Sequence, residues 1–159
     1  MSDTPGAPPS IRIGGWGRAT LPWAFGTVAV AALFTMNDTF NWFRSKPDTG
    51  APNTFLDYLP VFAIIVVTVA VVFGTFVRRA FAAPERPART TLVLGALGIL
   101  AIPAYWLGLP AVFAGAALAT GLGGNPRRSD TSGRSKVAAT GIALGFVTIA
   151  IAAFEAVER

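Results

Sequence analysis

Long uncharged apolar runs dominate the pattern of the chain. Four stretches contain no charged residue, and they cover residues 19–36, 59–77, 90–124 and 137–154. A helix rises about 1.5 Å per residue, so a run of about 18–20 residues crosses most of a hydrocarbon core of about 30 Å. The Val- and Ile-rich run at 59–77 has the composition of a buried strand, but its length favours a helix. The pattern therefore predicts an all-α fold made of transmembrane helices.

The third run is too long for one span, because 35 residues would form a helix of about 52 Å. Pro103 and Pro110 interrupt it, and Tyr105 and Trp106 between them are side chains typical of a membrane interface. We therefore expect a tight hairpin of two short helices. The resulting prediction is a bundle of five spans at residues 19–36, 59–77, 90–104, 109–123 and 137–154.

The distribution of Lys and Arg distinguishes five spans from four, because cytoplasmic loops are enriched in these residues. Five spans place ten of the thirteen bases on one side and three on the other, whereas four spans divide them seven to six. The five-span topology places the amino terminus and both arginine-rich loops in the cytoplasm. The alternative is four spans, with residues 90–124 forming a kinked or re-entrant element buried against protein.

Composition supports a membrane protein and argues against catalysis. Hydrophobic residues make up 53% of the chain and charged residues 13%, with a mean hydropathy of +0.56, whereas soluble domains have about 25% charged residues. The net charge of +5 forms no continuous basic face, so nucleic acid is not an expected partner. The absence of His and Cys excludes the commonest metal, haem and nucleophile chemistry. We expect no enzyme activity, no cofactor, no metal and no identifiable small-molecule ligand.

The segments outside the spans suggest a simple organisation. Residues 1–18 read as a flexible cytoplasmic tail, residues 19–155 as a single transmembrane domain and residues 156–159 as a short second tail. We expect the first span to remain an uncleaved anchor, although Ala29-Val30-Ala31 has the form of a signal-peptidase site. Residues 37–58 form the longest loop, whose three Asp residues lack the spacing of a calcium loop. Arg outnumbers Lys by 11 to 2, and Ala and Gly are abundant, which indicates a GC-rich bacterium. Together with the apolar spans, this predicts a multi-pass protein of the bacterial cytoplasmic (inner) membrane.

Small residues at four-residue spacing are candidates for helix packing, since they let two backbones approach closely. The predicted packing residues are Ala111, Gly115, Ala119, Gly123, Gly141 and Gly145. Ala70 with Gly74, and Gly95 with Gly98, are weaker versions of the same pattern. Such faces either dock another chain or pack within this one, and the sequence leaves both interpretations open.

Two sets of polar residues accompany the spans. Intramembrane threonines either line a polar path or bond to carbonyl groups of their own helices; they are Thr27, Thr68, Thr75, Thr120, Thr140 and Thr148. The bases of the two arginine-rich loops set the topology and could hold anionic lipid headgroups; they are Arg78, Arg79, Arg86, Arg89, Arg127, Arg128, Arg134 and Lys136.

The C-terminal half has a distinctive order of motifs. It comprises a Leu-Val-Leu-Gly opening at residues 92–95, a proline turn at 103–110, a small-residue helix at 111–123, a basic loop at 127–136 and a final Gly-rich helix at 138–145. In this pattern it resembles a class of small Gly-rich bacterial inner-membrane domains of unknown function. The resemblance covers about 65 residues and implies an inner-membrane protein without transferring any catalytic residue. The first half resembles no family.

These observations favour a protein that acts by helix–helix association, either as a homo-oligomer or as an accessory subunit of a larger membrane complex. The expected partners are the lipid bilayer and other transmembrane helices. The alternative function is a small channel or carrier for a neutral or lipid-like solute, with threonines lining its path.

Overall fold

The computed structural model describes residues 14–40, 54–82, 86–123 and 132–158, and every regular element in these ranges is helical. The all-α prediction is thereby confirmed. The elements are α1 (Gly14–Phe40), α2 (Phe55–Val71), a π-helical segment (Val72–Val77), α3 (Arg78–Phe81), α4 (Arg86–Leu100), a 3₁₀ helix (Ile102–Leu107), α5 (Leu109–Gly123) and α6 (Ser132–Glu158).

Three helices are long and apolar enough to cross a membrane. They are Thr20–Phe40, Phe55–Phe81, which includes the π-helical segment, and Lys136–Glu155. Helices α4 and α5 have 15 residues each, so each is about 22 Å long and shorter than a typical hydrocarbon core. The described part of the chain is therefore helical, with three candidate membrane spans and the two shorter helices α4 and α5.

Several helices extend beyond the predicted limits. Helix α1 begins at Gly14 and ends at Phe40, so residues 14–18 of the predicted tail and residues 37–40 of the predicted loop are helical. Helix α2 includes Asp57 and Tyr58, which were also assigned to the loop. Once an apolar run has nucleated a helix, each further residue adds a hydrogen bond at little cost. The predicted tail at residues 1–13, and Asp48 of the loop, lie outside the described residues.

The break between the two short helices lies where the prolines predict it, but α4 ends earlier than expected. Its last residue is Leu100 instead of Ala104, because the Pro103 ring lacks an N–H group and disfavours helical backbone before it. The chain tightens into the 3₁₀ helix and turns at Gly108, whose φ is +69°. Pro110 lies in the first turn of α5, where a missing N–H group costs nothing.

The π-helical segment changes which residues of the second candidate span face the bundle. In a regular helix, Phe76 would lie two turns after the buried Val69 and on the same face. Instead Phe76 is 48% exposed, and the next residue, Val77, is fully buried. The wider turn thus shifts the register by one residue, as an inserted residue does in a π-bulge.

Contacts between helices show that consecutive long helices run in alternating directions along the chain, so that α4 and α6 are parallel where they pack together. Thr91 near the start of α4 contacts Thr120 near the end of α5. Thr35 near the end of α1 contacts Tyr58 at the start of α2. Ideal Cβ positions at Gly121 and Gly145 of the antiparallel α5–α6 pair contact Ile142 and Ala114 respectively. Helix α5 is in the centre and is the most buried element, with ten buried residues.

Candidate functional site

The predicted small-residue stripe of α5 lies against other helices of the same chain. A Cβ atom at Gly115 would overlap the side chain of Thr27 on α1, and one at Gly123 would lie 3.3 Å from Phe81 Cζ on α3. Ala111 and Ala119 are almost fully buried. The stripe therefore provides close packing inside the bundle.

The Gly141/Gly145 pair of α6 also lies at contacts within the chain. A Cβ atom at Gly141 would lie 2.6 Å from the carbonyl carbon of Thr91 and 2.7 Å from the backbone nitrogen of Leu92. A Cβ atom at Gly145 would lie 3.3 Å from the Ala114 carbonyl oxygen. The sequence left open whether these glycines dock another chain or pack within this one. In the structure they pack within this chain.

Among the glycines whose surroundings the structure describes, two differ from the others because their Cβ positions meet no atom within 4 Å. They are Gly26 on α1 and Gly74 in the π-helical segment. Both are exposed, and Ala70, one helical turn before Gly74, is exposed too. The sequence pattern included Ala70 and Gly74 as a weaker packing pair, whereas it gave no reason to select Gly26.

Threonine hydroxyl groups bond to backbone carbonyl groups of their own helices. All six intramembrane threonines of the sequence prediction donate to the carbonyl four residues earlier, at 2.6–2.9 Å. Thr91 and Thr120 also meet in the interior, with their hydroxyl oxygens 2.9 Å apart. Because the hydroxyl protons are used inside the helices, these side chains present few free donors to a solute.

One polar contact joins the 3₁₀ helix to α1, and another at the same end of the bundle joins α1 to α2. The Tyr105 hydroxyl donates to Asp38 Oδ1 at 3.0 Å, and the hydroxyl oxygens of Thr35 and Tyr58 are 3.1 Å apart. The turn therefore lies at the level where α1 ends and α2 begins.

Asp57 has a structural role that the sequence reasoning missed. Its Oδ2 accepts hydrogen bonds from the backbone N–H and the hydroxyl group of Thr54, both at 2.8 Å. This is a capping box at the start of α2, and the Thr-x-x-Asp spacing is its signal in the sequence. Among the described residues, no group of three acidic side chains is placed to hold a metal ion.

Charged residues in the described helices are divided between the two ends of the bundle. One end, called the basic end here, contains the start of α1, α3, the starts of α4 and α6 and the end of α5. Its charged residues are Arg18, Arg78, Arg79, Arg86, Arg89, Arg134 and Lys136. The opposite end contains Asp38, Asp57, Glu155 and Glu158. Arg127 and Arg128 of the predicted basic set lie outside the described residues.

An open apolar groove of about 220 Å³ lies along the contact between α1 and α5, and its lining includes one α6 residue. Its lining consists of Pro22, Trp23, Gly26, Thr27, Val30, Ala111, Gly115, Leu118 and Ile149. The groove exists because several of these residues have small side chains, and Gly26 has none. Ala111 and Gly115 of the predicted packing stripe therefore line this groove, and so does Thr27, the α1 residue that contacts Gly115. The described part of the chain does not fill the groove.

No protein-family model matches the chain, and neither a curated protein nor a solved structure matches it. The resemblance of the C-terminal half to small bacterial membrane domains therefore stays a prediction.

Proposed function

We propose that the chain is a five-span protein of the bacterial cytoplasmic membrane, with its amino terminus in the cytoplasm. The three candidate spans and the alternating directions of the five long helices support this topology. Because the 3₁₀ turn contacts Asp38 and Thr35, the hairpin extends as deep as the neighbouring spans. The accumulation of Arg and Lys at one end supports the orientation, since such residues are retained on the cytoplasmic side.

The shortness of α4 and α5 is compatible with five spans. Helix α5 is surrounded by the other helices, so its ends need not reach the lipid boundary. Helix α4 is continued by the 3₁₀ helix, which adds about 12 Å at 2.0 Å per residue. Together these two elements approach the thickness of a hydrocarbon core.

We further propose that the protein acts without catalysis, by helix–helix association through the exposed face of α2 and the π-helical segment. This face, called the α2 face, comprises Ala63, Val67, Ala70, Val71 and Gly74. All five residues are exposed, and Gly74 is the single observation that carries the proposal. Its open Cβ position offers another helix the close approach that glycine permits, whereas the stripes of α5 and α6 already contact this chain.

The partner of the α2 face is a second copy or a helix of a larger membrane complex. The alternative function, a channel or carrier, receives no support from the threonines, because their hydroxyl groups bond to their own helices. A solute path would need donors and acceptors directed into a cavity.

The test compares Gly74→Leu with Gly26→Leu, a matched control because both glycines are exposed and meet nothing within 4 Å. Dimerisation would be measured by single-molecule photobleaching and energy transfer in liposomes over a range of protein-to-lipid ratios. We expect Gly74→Leu to weaken dimerisation by roughly tenfold or more, which corresponds to about 1.4 kcal/mol, and Gly26→Leu to resemble the wild type. Substitutions at Gly141 or Gly145 are unsuitable, since they would disturb the fold itself.

If the purified wild type is monomeric, the partner must be another protein. Affinity purification of the wild type and both variants, with mass spectrometry of the captured proteins, tests this case. A partner recovered with the wild type and Gly26→Leu, and lost with Gly74→Leu, supports the accessory-subunit form of the proposal. If neither self-association nor a captured protein depends on Gly74, the α2 face is not an association surface.

A further inference from the structure

The groove between α1 and α5 is a second surface that the association proposal does not use. We propose that it holds one acyl chain of an anionic phospholipid from the membrane leaflet at the basic end. The inference rests on the proposed membrane placement but is independent of the α2 face, which belongs to a different helix.

The chemistry of the lining calls for an apolar occupant. Seven of the nine lining residues have apolar side chains or none, and the polar groups of the other two are the Thr27 hydroxyl and the Trp23 indole N–H. The Thr27 hydroxyl donates to the Trp23 carbonyl oxygen at 2.7 Å, so its proton is already used. A bound water needs two to four polar partners, which this lining does not supply. A hydrocarbon chain would instead gain the dispersion contacts that an empty groove forgoes.

The dimensions of the groove favour a single chain over a helix of another protein. Along α1 it extends from Pro22 to Val30, which is about 12 Å at 1.5 Å per residue. A helix with its side chains is about 10–12 Å wide and would need several times the 220 Å³ of the groove over that length. An unbranched acyl chain lying along α1 fits such a narrow space.

The charge at the nearer end of the bundle favours an anionic lipid. The groove begins at Pro22, one helical turn after Arg18, and lies alongside Leu118 in the half of α5 that leads to the basic end. Five basic side chains and no acidic one are described at that end: Arg78, Arg79, Arg86, Arg89 and Lys136. A phospholipid whose chain enters the groove there would have its phosphate at the same end of the bundle as these bases, and juxtamembrane bases attract anionic headgroups.

Gly26 provides a direct way to close the groove. It lines the groove, is exposed and meets no atom within 4 Å of its Cβ position. A leucine there would project into the unfilled space, while its backbone would remain helical at no propensity cost relative to glycine. Gly74→Leu makes the same change on a distant face and serves as the control.

The experiment uses quenching of Trp23, which lines the groove. A variant with Trp16, Trp42 and Trp106 replaced by Phe would be reconstituted in phosphatidylcholine vesicles. A fixed mole fraction of either phosphatidylglycerol or phosphatidylcholine would carry brominated acyl chains. We expect brominated phosphatidylglycerol to quench Trp23 at least twofold more than brominated phosphatidylcholine. The excess should disappear in Gly26→Leu and persist in Gly74→Leu.

Each other outcome contradicts a stated part of the inference. Equal quenching by the two lipids in the Trp23-only protein would overturn the choice of an anionic lipid. An excess that survives Gly26→Leu would overturn the groove as its location. Protection of Trp23 from both lipids that grows with protein concentration would show that a helix of a second copy covers the groove.

Dimerisation lost in Gly74→Leu while quenching is retained would separate this inference from the association proposal.

Discussion

Gly141 shows how a single hydrogen in place of a side chain determines the spacing of two helices. A Cβ atom there would lie 2.6 and 2.7 Å from backbone atoms of Thr91 and Leu92, and backbone cannot move aside as a flexible side chain can. We expect Gly141→Ala to lower the free energy of unfolding by about 1–3 kcal/mol, the range of overpacking substitutions. Unfolding in mixed micelles, followed by circular dichroism, would measure the change.

Gly26→Ala is the matched control for Gly141→Ala. It adds the same methyl group to a helix at a position where nothing lies within 4 Å. We expect it to leave stability unchanged or to raise it by about 0.5–1 kcal/mol through reduced backbone entropy of the unfolded chain. If both variants lose the same free energy of unfolding, close packing is not the reason why position 141 requires glycine.

The sequence identifies which residues are small but not what they contact. The spacing of Gly141 and Gly145 predicted a packing face, and the structure places an α4 backbone against it. Docking of another chain and internal packing produce the same spacing, because both need only a smooth helix surface. Gly26 has no small partner four residues away on its open face that would single it out, so the groove it opens was not predictable.

The turn between α4 and α5 depends on Gly108 more than on its prolines. Gly108 has φ of +69°, a conformation that costs other residues about 1–2 kcal/mol. A Cβ atom there would also lie 3.2 Å from Ile65 Cδ1 and Thr35 Cγ2. We expect Gly108→Ala to lower the free energy of unfolding by at least about 1–2 kcal/mol, measured by the same micelle titration.

Pro103→Ala is the comparison for Gly108→Ala. Pro103 is exposed in the 3₁₀ helix that precedes Gly108, and because it has no backbone N–H group, the substitution removes no hydrogen bond. An exposed substitution of this kind usually changes stability by less than about 0.5 kcal/mol. A larger loss for Pro103→Ala than for Gly108→Ala would show that proline, and not the left-handed glycine, holds the hairpin.

The existence of the helices and the bounds of α5 could be predicted from the chain, whereas the ends of the other helices and the π-helical segment could not. The prolines at 103 and 110 predicted the break, but the end of α4 at Leu100 depends on backbone contacts before Pro103. The π-helical segment leaves no pattern in the uncharged run at 59–77, because residues 69–77 are all apolar apart from Gly74 and Thr75. Which of Phe76 and Val77 faces inward is decided by packing against the other helices.

The accumulation of bases at one end was more predictable than the contacts inside the bundle. Charge counting placed the amino terminus and both arginine-rich segments at one end, and the structure gathers the described bases there. The contact of Tyr105 with Asp38 was not predictable, because 67 residues separate the two in the chain. The five-span topology and a re-entrant hairpin differ in one quantity, the depth of this turn in the membrane.

The depth of the turn leads to a labelling prediction. Trp106 is 50% exposed in the 3₁₀ helix, at the level where α1 ends, and Arg79 is exposed at the basic end. Because the chain has no cysteine, Trp106→Cys and Arg79→Cys each introduce one reactive site. In intact spheroplasts we expect a membrane-impermeant maleimide to label Trp106→Cys, and to label Arg79→Cys only after permeabilisation.

Leu100→Cys provides the internal standard for this experiment. Leu100 is 75% exposed at the end of α4, and the five-span topology places it against lipid. Maleimide reacts with the thiolate form of cysteine, which an apolar environment disfavours. We therefore expect Leu100→Cys to be labelled slowly from either side. Five spans require Trp106→Cys to react from outside, whereas a re-entrant hairpin would leave it protected or reactive only from the side of Arg79. Labelling of Arg79→Cys in intact spheroplasts would instead invert the orientation, since the basic end would then face outward.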